Sequence, residues 1–181
     1  MKKTIIASLV GAVIIFFWQF LSWGPLNLHQ PAQEYTPKQD SVMAYLSSQF
    51  KGDGSYLMPS YPPGVTRDEM EKGMKNAAGK PWAIVSYHQS MDMSMGMNMA
   101  RGFIINFVIL WLLCLIISKI NDASFGAIFL TSLIVGLIGF FNVTYTYHIW
   151  YQTRDLNAHL IDTIASWGIT GLWLGLWLKK K

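Results

Sequence analysis

The sequence predicts an all-α membrane protein, with four transmembrane helices and a small α+β extracytoplasmic insert after the first. Three observations predict it. Four apolar stretches recur along the chain: Thr4–Ser22, Gly102–Ser118, Ala123–Val143 and Asn157–Leu178. Only 13% of the 181 residues are charged, against about 25% in soluble domains. The one long polar region, broken by Pro and Gly, lies between the first and second stretches. The chain therefore reads as an anchor helix over 1–23, an insert over 24–100 ending in a Met-rich junction, and a three-helix bundle over 101–181.

Thr4–Ser22 follows a short basic start, Met1–Lys3. As a helix it spans roughly 28 Å, close to a hydrocarbon core of about 30 Å. A cleaved leader has a shorter apolar region that ends in small residues. This stretch ends in Phe20, Leu21 and Trp23, so an uncleaved signal anchor is expected. Ala7 and Gly11 form a small-residue contact pair.

In the insert, Thr36-Pro37-Lys38-Gln39 and Thr66-Arg67-Asp68-Glu69 both carry the capping-box pattern of a helix start. The second helix is expected to fade at Gly73 or Gly79. Ser55–Met58 and Trp82–His88 read as strands. About 65 residues make a marginal core, so this unit is expected to lean on the membrane domain or on a partner.

Beyond the insert, Lys119-Ile120-Asn121-Asp122 is a tight polar turn, and Thr144–Leu156 a short aromatic connection. Ser132 and Gly136 in the third stretch, and Gly171 and Gly175 in the fourth, permit close helix approach. The fourth helix also carries Asp162 and His159 on a second face, so it is expected between two neighbours, or between one neighbour and another protomer. Lys2, Lys3, Lys119 and Lys179–Lys181 fall on one side and Arg154 on the other. The positive-inside rule then makes both termini cytoplasmic, in a bacterial inner membrane.

The formal charge is +4, with the lysines gathered at membrane edges, which excludes a nucleic-acid surface. The single Cys114 excludes an intramolecular disulfide. There is no HExxH, GxSxG, Walker A or CxxC motif, so the reading leans away from an enzyme.

The span order, the Gly52–Pro59 turn-and-strand, the Met/Gly run entering the second span and the aromatic turn before an Asp-bearing last helix carry a resemblance. The chain resembles uncharacterised bacterial four-span inner-membrane proteins with an extracytoplasmic insert after the first helix. The resemblance implies that fold and location; it brings no activity and no site residues.

Two constellations can carry chemistry. Met91, Met93, Met95, Met97 and Met99 alternate strictly, with His88 just before them. Thioether sulfur is soft and suits Cu(I) or Ag(I); methionine also fills irregular packing gaps. An extended run puts all five on one face, whereas a helix groups Met91, Met95 and Met99. The second constellation is a polar cluster at the outer ends of the last three spans: Asn142, His148, His159, Asp162, Arg101 and Arg154. An ionisable group inside a span marks function by default. Asp162 and His159 could begin a metal site, a general base or a proton relay, or pair structurally. Arg101, Arg154 or His159 is the expected partner of Asp162. The leading expectation is a non-enzymatic accessory or assembly protein whose insert meets a protein partner or a second copy. The alternatives are an extracytoplasmic Cu(I)/Ag(I)-handling protein using Met91–Met99, and a small membrane carrier or enzyme using His159 and Asp162.

Overall fold

The computed structural model describes residues 2–121 and 123–179. Asp122 of the polar turn, and Lys180 and Lys181 of the topology argument, lie outside the described residues, as does Met1. The chain divides into two compact units, one of residues 1–34 and 94–181, the other Tyr35–Met93.

The first unit is helical. Its long elements are α1 (Lys2–Trp23), α4 (Met95–Ser118), α5 (Phe125–Gly139) and α7 (Leu156–Leu178). A π-helical turn, Phe140–Tyr145, joins α5 to a short α6 (Thr146–Tyr151). The third stretch therefore does not end at Val143 in an irregular aromatic connection. Helical hydrogen bonding carries on to Tyr151 and stops where Gln152 turns left-handed, at φ +45°. Among the described residues, three helices are long and apolar enough to cross a membrane: Lys2–Trp23, Met95–Ser118 and Phe125–Tyr151. The chain is consistent with a membrane protein on that ground.

In space the helices form an antiparallel row, α4 beside α1, α1 beside α7, and α7 beside α5. Small residues set the close approaches. A Cβ on Gly11 of α1 would lie 2.9 Å from Leu110 of α4, with Thr170 of α7 at 3.3 Å. Gly171 of α7 faces Ser132 of α5, and Gly136 of α5 faces Trp167 of α7. The small-residue pairs expected on α5 and α7 are thus halves of one interface. Ala7, Leu110, Leu113, Ile128 and Leu174 form the buried centre of the row. At the far end of the row, the Trp173 and Trp177 indoles donate to the carbonyls of Ala7 and Lys3, 3.3 and 3.2 Å away.

The second unit holds α2 (Gln39–Gln49), β1 (Gly54–Met58), α3 (Arg67–Ala77) and β2 (Ala83–Tyr87). The strands pair antiparallel, with Gly54 opposite Tyr87 and Met58 opposite Ala83. The Thr66–Glu69 capping box forms as expected. The first one does not. Lys38 takes the N-cap position, and the Thr36 hydroxyl accepts from the Lys38 amide instead. A local turn thus consumes the side chain that would have capped the helix. Helix α3 passes through Gly73, which packs on Tyr61, and ends before Gly79 at φ +75°. The aromatic centre is small: Phe50 stacks on Tyr56 at 3.8 Å and meets Tyr87 edge-on at 5.4 Å.

Candidate functional site

Chain reversal after α1 builds the site. Asn27 adopts a left-handed conformation, φ +47°, and the amides of Leu26 and Leu28 return to the carbonyls of Leu21 and Ser22. That turn folds His29 back over the helix end, where its ring stacks on Trp23 at 3.8 Å and 4°. His29 is 1% exposed.

Both imidazole nitrogens of His29 meet carboxylates. Nδ1 lies 2.8 Å from Asp155 Oδ2, and Nε2 lies 2.9 Å from Asp162 Oδ2. Asp155 holds the N-cap position of α7, and its carboxylate is turned to His29 rather than back to the helix amides. Asp162 lies two turns further along α7. Its other oxygen, Oδ1, accepts from the Trp18 indole at 3.0 Å. His159, between them on α7, reaches Asp155 Oδ2 at 3.3 Å and meets the His29 ring edge-on at 4.7 Å. Burial pushes the Asp155 carboxyl up. The hydrogen bond to His29 and the nearby charge of His159 outweigh that, so its pKa lies below the ordinary carboxylate value.

A cavity of about 300 Å³ opens beside this group, lined among others by Trp18, Gln19, Asn106, His159 and Asp162. The Asn106 amide donates to Gln19 across it at 2.9 Å. The arrangement can clamp two helix ends together, pass a proton along the line Asp155–His29–Asp162, or present imidazole and carboxylate donors to a cation.

The expected partners of Asp162 are corrected by this geometry. Its side chain pairs with His29 and Trp18, not with Arg101, Arg154 or His159. Both arginines are exposed. The long charged side chains reach water at low cost, while the shorter imidazole fits the buried corner between α1 and α7. Asn142 and His159 share a neighbouring cleft of about 590 Å³. His148 turns away, its Nδ1 lying 3.2 Å from the Thr153 hydroxyl. His29 and Trp18 went unmarked in the sequence. His29 sits in an aperiodic loop 133 residues from Asp162, and only the Asn-Leu-His turn after a span hinted that the chain folds back.

The methionine run crosses the boundary between the two units. Met91 and Met93 lie outside any helix or strand, whereas Met95, Met97 and Met99 lie in the first turns of α4, so the run is neither all strand nor all helix. All five are exposed, from 49% at Met99 to 86% at Met91. Within the second unit, His88 and Met91 line one cleft with Met43 and Ser86. His88 itself lies 3.5 Å from Asp53. No protein-family model, curated protein or solved structure matches this chain.

Proposed function

We propose that the chain is a four-span bacterial inner-membrane protein with both termini cytoplasmic, acting as a non-enzymatic accessory or assembly protein whose outer insert binds a protein partner. The fourth span is α7. Its 23 residues reach roughly 34 Å at 1.5 Å each, and it packs between α1 and α5. Of its polar side chains, His159, Asp162 and Ser166 are hydrogen-bonded or ion-paired within the unit, while Ile161, Ile164 and Leu172 are exposed.

One observation carries the partner reading. Across Tyr35–Met93, all of them described residues, Tyr87 is the only hydrophobic residue buried, while Tyr35, Tyr45 and Met74 are 66% exposed or more. A unit of this size that leaves so much apolar surface uncovered gains stability from a bound protein. A photoreactive residue at Tyr45 or Met74, activated in intact cells, is expected to capture one discrete partner. A smear no different from that of a crosslinker at exposed Lys80 would sink the reading.

The topology is tested separately. Cys114, the one native cysteine, is buried and leaves labelling clean. Asp68→Cys is expected to react with an impermeant maleimide in intact cells. Reaction only after lysis would put the insert inside and overturn the orientation.

The exposure of Met91–Met99 favours a second reading, handling of Cu(I) or Ag(I) by that run. Thioether sulfur suits soft ions, and all five methionines are exposed.

A further inference from the structure

The geometry points to a binding site for a borderline divalent transition metal ion, of which Zn(II) is the type, held by His29, His159 and Asp162 and oriented by Asp155. Neither the accessory role nor the methionine run requires it.

Four features argue for the ion. One donor atom from each of His29, His159 and Asp162 lies within 4.8 Å of the others. Two imidazoles and one carboxylate, with an open fourth position, form a donor set that suits Zn(II). Next, His29 is arranged as a ligand as well as an ion-pair partner. Its Nδ1 is taken by buried Asp155 at 2.8 Å, which directs Nε2 at Asp162 Oδ2, the second ligand, 2.9 Å away. A carboxylate behind a ligating imidazole fixes its tautomer and raises its basicity. Third, the ring cannot swing away, because Trp23 stacks on it. The Trp18 indole likewise fixes Asp162 Oδ1 and leaves Oδ2 toward His29. Fourth, the cavity lined by His159 and Asp162 gives an ion an approach and a fourth position for water.

The His29 Nε2 to Asp162 Oδ2 contact, 2.9 Å, is bridged by one proton. An ion replaces that proton. At bond lengths of about 2.0–2.1 Å, tetrahedral ligand atoms sit about 3.3 Å apart, so this pair opens by about half an ångström. His159 is 35% exposed, and rotation of its ring closes the remaining gap. The proton leaves to solvent, as metal binding to imidazole and carboxylate requires. The donors are nitrogen and oxygen, which separates this site from the soft thioethers of the methionine run.

The test uses the full chain in detergent, without a polyhistidine tag and stripped of metal. Co(II) is the probe, because four-coordinate Co(II) lacks a centre of symmetry and absorbs visible light far more strongly than the hydrated ion. One equivalent is expected to give intense bands that Zn(II) abolishes. His159→Gln, at the most exposed ligand, is expected to keep the elution volume and helix content and to weaken binding by about tenfold or more. Asp155→Asn, behind the ligand, is expected to weaken it about 10- to 100-fold. Replacing Met93, Met95 and Met97 by Leu is expected to leave it unchanged. Absence of a stoichiometric spectrum from the unmodified protein overturns the site. Undiminished affinity in His159→Gln, or loss with the methionine variant, does so too.

Discussion

His29→Ala is expected to cost the helical unit about 3–5 kcal/mol, the range for removing one partner from a buried ionic group. The reason is the environment left behind. Asp155 and Asp162 are 7% and 19% exposed, and both direct an oxygen at the same ring. Without it, two carboxylates face each other with no imidazole between them, and Trp23 loses the surface it stacks on. Asp162 keeps Trp18 and Asp155 keeps His159, so the unit is destabilised without losing every polar contact. Thermal unfolding in detergent, followed by helix signal, measures the loss. His29→Gln restores one or two hydrogen bonds and is expected to recover part of it. A midpoint unchanged in His29→Ala would mean that the cluster contributes nothing to holding α7 on α1.

Gly136→Leu is the second change with a large expected effect. A Cβ there would stand 2.3 Å from Trp167 Cγ, well inside contact distance. The indole is a flat, rigid neighbour packed against the buried core, so the helices must separate. Overpacking of this kind costs about 1–3 kcal/mol or more, and here it falls on the α5–α7 interface. Gly168→Ala is the control. It lies on α7, where an added Cβ would meet open space with nothing within 4 Å, and alanine is the better helix former by up to about 1 kcal/mol. Its midpoint is expected to stay or rise. Equal losses from the two changes would show that glycine matters to these helices for flexibility rather than for close packing.

The methionine run illustrates a limit of pattern alone. Strict alternation is the period of a strand, yet Met95–Met99 are helical because a long apolar segment follows and helix propagates backward from it. Ser94 marks the boundary between the two units. The capping boxes make the same point. Thr66 and Thr36 carry the same signature, but Thr66 is followed by two acidic residues in the first turn, Asp68 and Glu69, and the Glu69 side chain closes the box. Helix α2 has one, Asp40, behind Lys38 at the N-cap, and Thr36 spends its hydroxyl on a local turn.

What the sequence alone determined were the helices and their contact faces. Apolar run length fixes a membrane-length helix with little help from context, because the hydrophobic signal is spread over many residues. Small residues four apart mark where such helices approach: Gly171 faces Ser132, while Gly136 faces Trp167 and Gly175 faces Phe125, all across the α5–α7 interface. The tertiary structure decided which polar groups meet. Asp162 stood out in the sequence as an ionisable residue in an apolar helix, but its partner comes from a loop with no period of its own. Hydrogen bonds and ion pairs are short-ranged and directional, so their partners depend on ångström-level placement of distant segments. That placement was made by the left-handed turn at Asn27 and by the packing of α7 on α1, which together bring His29 between Asp155 and Asp162.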